Sequence, residues 1–370
     1  MAERKLAVVR NFPKAYEIEM SRFATYYKHI FVTQPDFGFS EIRPVPAYCL
    51  LPDFAQHLPF MSSYHFTVFR NLESALEDVD AINAAELFTF MSRQCSMISS
   101  RLKIKFVASV WQTIPNHLLY NFLPPYVNNT RFVINRTQLF LALTKKAISY
   151  LQSLRVPSDK IRLLYPGVDL QLFKPSAHRR EDSSFIVLFV GRLERQKGII
   201  TLVSAFLQFA QENPDAQLWI IGRGKLLPEI VWHSKRSPNI IYKGSNLSQR
   251  LIIATYQRCD ALCLPTSDYQ IAGIKIWEEQ FGMVLVEAMA CQLPILATNN
   301  GAIPEILGHN NIIVPQDSTR GLLGGLMTLA SDPELRRAIG KANRIRAEKL
   351  FDVVKQGEKM DRYLKEAIET

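Results

Sequence analysis

The sequence lacks a long hydrophobic run and a recognisable leader segment. No apolar stretch approaches the roughly 18 residues that a membrane-spanning helix needs. The N-terminal stretch, MAERKLAVVRNFPK, has neither the apolar core nor the small-residue cleavage site of a signal peptide. Low-complexity segments are also missing. From these absences we expect a globular protein that works in the cytoplasm.

Cysteine is scarce too. The five cysteines are Cys49, Cys95, Cys259, Cys263 and Cys291. An odd number without the spacing of paired metal ligands argues against a disulfide scaffold and against a zinc site. We therefore interpret all five as reduced structural thiols.

Acidic residues are too few to balance the basic ones, and the imbalance is uneven. The formal net charge is +10, and residues 1–175 hold 20 basic against 13 acidic residues. Such an excess indicates either an anionic partner for this part of the chain or a simply solvated basic surface. A nucleic-acid-binding motif is lacking, so we expect no nucleic-acid partner.

Short β-rich runs alternate with helical patterns along the whole chain. The first series of predicted strands lies at 6–10, 29–34, 80–85, 105–111, 139–144 and 161–168. The second series lies at 185–192, 216–224, 239–244, 261–266, 294–298 and 311–315. Many of these runs are continuously apolar, which is typical of parallel strands covered on both faces. The alternation predicts an α/β protein with two doubly wound, Rossmann-like parallel sheets.

The two series define two predicted domains. We place the first at 1–174 and the second at 185–351, joined by the polar linker FKPSAHRREDSS. The segment 352–370 is a helical pattern that no strand follows. We expect this last helix to pack back on the first domain.

The first strand of the second domain ends at Gly191 and Arg192, and LERQKG follows. Ligands of open α/β sheets bind at the carboxyl ends of the strands. A glycine there lets a backbone approach a ligand closely, and Arg192 and Lys197 add two cations beside the start of a helix. This pattern suits a phosphate or a diphosphate, although a turn glycine with solvated charges would look the same.

A second pattern, EEQFGMVLVEAMACQLP, places Glu279 and Glu287 eight positions apart. Glu287 stands in an otherwise apolar helix, so it needs a partner in the protein or in a ligand. A ribose diol would suit Glu287, and hydroxyls of a second sugar would suit Glu279. A nucleotide-diphosphate-sugar would satisfy both carboxylates and both cations, so we expect the partner of Glu287 to be a ligand.

Together, GRLERQKG, the E-x7-E pattern, GAIPEI and YPGVDLQLFKP resemble the retaining glycosyltransferases of family 4. The resemblance covers the second domain and the end of the first. It implies the GT-B fold, in which two Rossmann-like domains face each other across a cleft. The first domain would bind the acceptor and the second would bind the donor.

The resemblance also implies roles for individual residues. Arg192 and Lys197 would hold the donor diphosphate and stabilise the leaving group, Glu279 would contact the transferred sugar, and Glu287 would bind the ribose. The other residues predicted to bind the donor are Gly191, Lys243, Gly244, Phe281, Gly282, Met283 and Val284. The implied reaction is metal-independent and needs no cofactor. It retains the anomeric configuration through a same-face displacement, in which the leaving phosphate helps to deprotonate the acceptor.

The resemblance leaves the substrates less defined. We favour a UDP-sugar over a GDP-sugar as the donor and expect a glycan or a lipid-linked glycan as the acceptor. Two alternatives from other classes are a GT-B sugar-nucleotide epimerase and a non-catalytic protein that binds sugar nucleotides. The intact E-x7-E pattern with Arg192 and Lys197 argues against both.

The sequence departs from the family pattern at several places. Trp111 and Gln112 stand where many relatives have a histidine, and we predict that they line the cleft; a packed tryptophan fits equally well. Asn300 interrupts the usual Gly-Gly before Pro-Glu. The loop 267–277 is longer than in the simplest members, and it is a candidate lid over the donor.

Two further patterns have competing interpretations. Asp78 and Asp80 form a D-x-D, which binds a metal in another glycosyltransferase fold, but here a helix end and a strand start explain it better. Ile148, Leu151 and Leu154 recur at helical spacing beside basic residues. This stripe is either a surface that contacts an anionic membrane or the core face of a crossover helix.

Overall fold

A computed structural model of the chain describes residues 4–11, 13–24, 26–33, 42–51, 63–176 and 184–368. The chain divides into two compact units. The first comprises Met1–Gly167 together with Val353–Thr370, and the second comprises Val168–Asp352. The division after Gly167 lies upstream of the predicted boundary at 174, and most of the predicted linker lies outside the described residues.

The first unit is built on one parallel sheet. Its strands are β1 (Lys5–Val9), β2 (Lys28–Thr33), β3 (Ile42–Pro44), β4 (Ala47–Cys49), β5 (Thr67–Phe69), β6 (Ala81–Ala85), β7 (Lys105–Val110), β8 (Leu139–Ala142) and β9 (Ile161–Leu163). Its first five helices are α1 (Ala15–Phe23), α2 (Phe90–Leu102), α3 (Leu118–Phe122), α4 (Tyr126–Ile134) and α5 (Lys145–Ser153). The sheet order is β3-β2-β1-β6-β7-β8-β9, and β4 and β5 form a separate antiparallel pair.

The strand order reverses between β1 and β6. From β1 the chain builds outward through β2 and β3, and it then returns to pair β6 with the other side of β1. Every residue of β6 is buried, because helices cover both faces of the sheet. In open α/β sheets such a topological switch point is the place where ligands bind.

The apolar stripe of α5 belongs to the core of the first unit. Leu151 is fully buried, and Ile148 and Leu154 pack against the same core cluster. Thr144 caps the helix by accepting a hydrogen bond from the backbone N–H of Ala147 at 3.0 Å. The stripe is therefore the core face of a crossover helix.

The second unit has the same architecture. Its strands are β10 (Ile186–Val190), β11 (Gln217–Ile221), β12 (Ile240–Gly244), β13 (Ala261–Leu264), β14 (Tyr269–Ile271), β15 (Ile274–Trp277), β16 (Ile295–Thr298) and β17 (Ile312–Val314). Its helices are α6 (Ile199–Glu212), α7 (Leu227–Arg236), α8 (Gln249–Arg258), α9 (Met283–Ala290), α10 (Ile303–Leu307), α11 (Thr319–Ser331) and α12 (Pro333–Leu350). The parallel sheet has the order β12-β11-β10-β13-β16-β17, so its switch point lies between β10 and β13.

The last helix, α13 (Val353–Ile368), belongs to the first unit, where it packs on α1. Gly357 permits a close approach, because a Cβ there would lie 2.8 Å from the carbonyl oxygen of Met20. Asp361 accepts a hydrogen bond from the backbone N–H of Tyr26 at 2.7 Å. This helix therefore covers part of a core that the N-terminal segment builds.

The predicted α/β architecture with two parallel sheets is confirmed, and each predicted strand segment contains a strand. The last predicted strand of the first series is shorter than expected and ends at Leu163. The strands that the sequence patterns did not predict are β3, β4, β5, β14 and β15. Among the described residues, no helix combines the length and the apolar character needed to cross a bilayer.

Candidate active site

The carboxyl edge of the second sheet has tightly packed backbone at its switch point. Gly191 follows β10, and its N–H donates to the carbonyl of Ile221 at 3.0 Å. Gly222 follows β11, and a side chain there would collide with the carbonyl oxygen of Gly191. Two neighbouring strands therefore end in glycines whose backbones touch, a packing that a side chain at Gly222 would prevent.

A buried ion pair lies at this switch point. The ammonium of Lys197 lies 2.6 Å from Glu279 Oε2, and the two side chains are only 13% and 8% exposed. Lys197 belongs to a short 3₁₀ turn that ends at Gly198, where a side chain would collide with the carbonyl of Pro265. The ammonium also lies over the ring of Trp277, 4.8 Å from its centroid. The structure thus brings two of the three predicted catalytic residues into direct contact.

Asn300 fixes the backbone of Glu279. Its Oδ1 accepts a hydrogen bond from the N–H of Glu279 at 2.7 Å, and its Nδ2 donates to Asp268 at 2.7 Å and to Gln316 at 3.1 Å. The carbonyl of Glu279 accepts from the N–H of Ala302 at 2.8 Å. Asn300 is fully buried, so this network fixes the backbone from which the carboxylate of Glu279 reaches Lys197. The departure from the family pattern at this position therefore has a structural function.

The first turn of α9 adds free backbone N–H groups beside the ion pair. Gly282 precedes the helix with a φ of 82°, and no side chain caps the helix start. Met283 and Val284 are partly exposed there, whereas the ring of Phe281 is buried against Phe351, with 5.9 Å between the centroids. Unpaired N–H groups at a helix start attract anions. The side chain of Phe281 is therefore a packing residue and not a ligand contact.

Glu287 has a partner within the protein. The phenol of Tyr256, on α8, donates a hydrogen bond to Glu287 Oε2 at 2.7 Å. Burial raises the pKa of Glu287, and the hydrogen bond from Tyr256 opposes that shift. The expectation that the partner is a ligand was therefore wrong for this oxygen. Tyr256 is fully buried, and its pKa is raised by burial and by the adjacent carboxyl.

Arg192 and Lys243 make contacts elsewhere. Arg192 donates to Glu194 at 3.0 Å, and its side chain is 55% exposed. Lys243 lies over the ring of Trp219, 3.8 Å from its centroid. Gly244 has a φ of 99°, and a Cβ at this position would meet no atom within 4 Å, so Gly244 borders open space. Within the described residues, neither cation is hydrogen-bonded to the pair formed by Lys197 and Glu279.

The predicted lid loop 267–277 contains an antiparallel hairpin formed by β14 and β15. Lys275 lies 2.7 Å from Asp268 and 3.1 Å from Glu278. Although burial lowers the pKa of Lys275, the hydrogen bonds to these two carboxylates outweigh it and raise the pKa. Lys275 thus links the hairpin to the two segments that flank it, and the last residue of the hairpin, Trp277, contacts Lys197.

In the first unit, Trp111 and Gln112 follow β7 at the carboxyl edge of the sheet. The ring of Trp111 packs edge-on against Tyr16 at 5.5 Å, and Trp111 remains partly exposed. Gln112 is buried, and its Oε1 accepts from the N–H groups of Thr113 and Ile114, both at 2.9 Å. The amide oxygen of Gln112 therefore stabilises a turn.

Both aspartates of the D-x-D pattern have partners within the protein. Asp78 lies 2.7 Å from Lys5 and 2.6 Å from Arg43, and hydrogen bonds from these cations, that from Arg43 foremost, lower its pKa. Asp80 accepts a hydrogen bond from the backbone N–H of Lys5 at 2.7 Å. In the described part of the chain, no cluster of three or more metal-ligating side chains occurs.

Four residues near the two switch points were not singled out from the sequence for these positions: Tyr256, Trp277, Asn300 as a support for Glu279, and Glu86, which follows β6. Glu86 had a signal in the sequence, because it is a carboxylate directly after a buried strand. Tyr256 had none, because a tyrosine on an amphipathic helix is most often a core residue.

The chain has two parallel α/β units. At its switch point the second unit has a buried cation–carboxylate pair beside the start of a helix that no side chain caps. This combination is that of the GT-B class. A family model described as glycosyl transferases group 1 matches residues 172–346. A second model, described as glycosyltransferase family 4, matches residues 26–172. The chain therefore belongs to the group 1 and family 4 glycosyltransferases.

Individual relatives are distant. The chain is 25% identical over 238 residues to D-inositol 3-phosphate glycosyltransferase from Pseudarthrobacter chlorophenolicus, a match that covers 60% of this chain and 54% of the relative. It is 26% identical over 230 residues to N-acetyl-alpha-D-glucosaminyl L-malate synthase from Bacillus anthracis, covering 60% and 58%. The chain thus spans little more than half the length of these curated relatives. Among solved structures, Anabaena HepE in complex with UDP and glucose matches 98% of this chain and 100% of its own, with a TM-score of 0.74 and 17% identity, which shows a shared fold.

Proposed function

We propose that the protein transfers a sugar from a nucleotide-diphosphate-sugar to a hydroxyl group of a glycan or lipid-linked acceptor, with retention of the anomeric configuration. The second unit binds the donor, and the first unit binds the acceptor. Family membership supports this activity, and the site in the second unit supplies groups that suit the donor.

The observation that carries the proposal is the buried pair of Lys197 and Glu279 beside the start of α9. An ammonium has three N–H donors, so Lys197 can keep Glu279 and still donate to a diphosphate oxygen. As the sugar–phosphate bond breaks, negative charge grows on the leaving diphosphate. A cation and helix N–H groups fixed in advance stabilise that charge without reorganisation.

Glu287 and Tyr256 support the nucleotide end of the donor. The phenol of Tyr256 holds one carboxylate oxygen of Glu287 at 2.7 Å, which fixes the orientation of the carboxylate. The partly exposed side chain can then accept hydrogen bonds from a ribose diol through its other oxygen. Arg192, which is exposed, is the mobile cation that would move from Glu194 to the diphosphate when the donor binds.

The donor and the acceptor are proposed from the relatives. HepE was solved with UDP and glucose, which favours a UDP-sugar over a GDP-sugar as the donor. The names of the two curated relatives indicate hydroxyl-bearing acceptors, D-inositol 3-phosphate and L-malate. A sugar or polyol hydroxyl is thus the acceptor group that we propose. The same-face displacement is assisted by the leaving phosphate and needs no metal.

A screen of UDP-, GDP- and ADP-sugars tests the proposal. A ligand that binds the folded state raises the Tm by mass action, so the true donor will stand out in a thermal-shift series. Proton NMR of the incubated donor then separates the outcomes. Release of nucleoside diphosphate supports a transferase, isomerisation of the sugar shows an epimerase, and binding without turnover shows a non-catalytic protein.

The first unit is also proposed to contact anionic membrane surfaces in the cytoplasm. Because the apolar stripe of α5 lies in the core, this proposal rests only on the excess of basic residues in 1–175. Each cation near an anionic surface contributes about 1 kcal/mol, and the attraction is screened by salt.

A further inference from the structure

Glu86 lies at the switch point of the first sheet. It directly follows β6, at the carboxyl edge, beside the position where the strand order reverses between β6 and β1. The donor site of the second unit uses the equivalent edge of its own sheet. Ligands of open α/β sheets bind at such positions.

The backbone conformation and the burial of Glu86 both lower the stability of the fold. It is only 5% exposed, and its backbone adopts a left-handed conformation with a φ of 64°. Its Oε1 accepts a hydrogen bond from the N–H of Trp111 at 3.0 Å. Its Oε2 is buried and has no hydrogen-bond partner among the described residues. A strained backbone and an unsatisfied carboxyl oxygen both destabilise a fold, and such features cluster at functional sites.

The charge of Arg10 lowers the pKa of this carboxyl, but burial outweighs it. Arg10, which follows β1, lies 2.6 Å from Glu17 and donates to Asn83 Oδ1 at 2.6 Å, so its guanidinium is committed to those partners. The negative charge of Glu86 contributes to raising the pKa of tyrosines on several elements, namely Tyr16 on α1, Tyr64 before β5, Tyr120 on α3 and Tyr150 on α5. Burial therefore dominates and raises the pKa of Glu86 to about 8, against the hydrogen bonds from the backbone of Trp111 and Gln112.

A carboxyl oxygen without a partner among the described residues, in a region of the first unit that is rich in aromatic residues, suits one class of ligand. Sugars present hydroxyl groups around a ring whose C–H faces pack on aromatic side chains. Trp111 is partly exposed and is held edge-on by Tyr16. Building on the proposed function, we infer that Glu86 contacts the acceptor and that its Oε2 forms a hydrogen bond with a hydroxyl group of a sugar or polyol.

The protonation state of Glu86 sets the direction of this hydrogen bond. Near pH 7 the carboxyl is mostly protonated and donates to the oxygen of the acceptor hydroxyl, whereas above about pH 8 the carboxylate accepts from that hydroxyl. Glu86→Gln keeps an oxygen for Trp111 and places an N–H₂ donor where Oε2 was. Glu86→Ala removes both groups. Glu77→Gln, at an exposed position of the same unit, is the matched control.

Saturation-transfer difference NMR on the full chain measures the binding of methyl glucoside, methyl mannoside and myo-inositol. We expect Glu86→Ala to weaken the tightest of these ligands by roughly 10- to 100-fold, the effect of losing one hydrogen bond to a buried group. Glu86→Gln and Glu77→Gln should bind close to wild type near pH 7. The wild-type affinity should change with a midpoint near pH 8, and that of Glu86→Gln should not.

Three results would each overturn the inference. They are unchanged affinity in Glu86→Ala, the same pH dependence in wild type and Glu86→Gln, and no binding of any probe to the wild type. Hydrolysis of UDP-glucose, which depends on the second unit, distinguishes this failure from a failure of the proposed function. If UDP-glucose is turned over while Glu86→Ala binds every probe normally, the inference fails and the function stands. If no sugar nucleotide of the UDP, GDP and ADP series is bound or turned over while Glu86→Ala loses the probes, the function fails and the sugar site stands.

Discussion

Replacing Glu86 by Gln should change how the stability of the first unit depends on pH. Burial raises the pKa of Glu86 to about 8, from an ordinary value of 4.5 in the unfolded chain. Between these two values the folded protein keeps a proton that the unfolded chain releases, so the free energy of unfolding falls as the pH rises. Each pH unit corresponds to about 1.4 kcal/mol, so the loss between pH 4.5 and pH 7 is about 3 kcal/mol for wild type and absent for Glu86→Gln.

Hydrogen exchange followed by mass spectrometry on peptides from β6 and β7 measures this difference locally, which matters because two units need not unfold together. At each pH the intrinsic exchange rates cancel between wild type and Glu86→Gln. The stability of Glu86→Gln relative to wild type should rise by about 3 kcal/mol between pH 4.5 and pH 7. The amide of Glu86→Gln also changes the free energy of unfolding by an amount that does not depend on pH. The quantity to compare is therefore the change of the stability difference with pH. A difference that stays constant across this range, or an equal slope in Glu77→Gln, would refute the buried-carboxyl argument.

The remaining predictions concern the second unit and the surface. Lys197→Ala should lower kcat by roughly 100-fold or more, measured as release of nucleoside diphosphate at saturating donor, because in the proposed function it removes a cation that acts on the leaving group. Full activity is expected in chelator. Tyr256→Phe should raise the donor KM by roughly 5- to 30-fold with little change in kcat, because it frees Glu287, which in the proposed function binds the ribose equally in the ground and transition states. Co-sedimentation should show binding to anionic vesicles that weakens as salt rises.

Each of these predictions has a matched control or a contradicting outcome. Lys225→Ala, at an exposed position of the second unit, should leave kcat unchanged, and an equal loss in both lysine variants would remove the role of Lys197. Absolute dependence on manganese would contradict a metal-independent reaction. A Tyr256→Phe protein with lowered kcat and unchanged KM would place Glu287 at the reacting sugar. Equal sedimentation with neutral and anionic vesicles would remove the membrane contact.

The fold was predictable because each unit repeats one strong local signal. Continuous apolar runs such as that of β10 are typical of strands covered on both faces, and alternation with helices then favours a parallel sheet. The hairpin of β14 and β15 was missed, because a short exposed antiparallel pair has no apolar run and looks like a loop. Amphipathic spacing in α5 indicated a helix with an apolar face, but not what covers that face.

The site was predictable as a set of residues but not as a set of contacts. Lys197 and Glu279 were both named from motifs, yet their pairing joins residues 82 positions apart, and only the strand order of the sheet brings them together. The bond between Tyr256 and Glu287 joins neighbouring helices and leaves no trace in either segment alone. Glu86 was overlooked because a carboxylate in the first unit had no part in the expected mechanism.

The arrangement of α13 has a consequence for biosynthesis. The sheet of the first unit and its helix α1 are translated before Val168–Asp352, whereas the helix that packs on α1 is translated after it. At typical translation rates of 5–20 residues per second, the ribosome needs on the order of 10–40 s to traverse the intervening segment. During that interval the nascent sheet lacks its last covering helix, while every strand of the second unit emerges as one continuous stretch. The second unit, although encoded later, is therefore the first of the two that can complete its native packing.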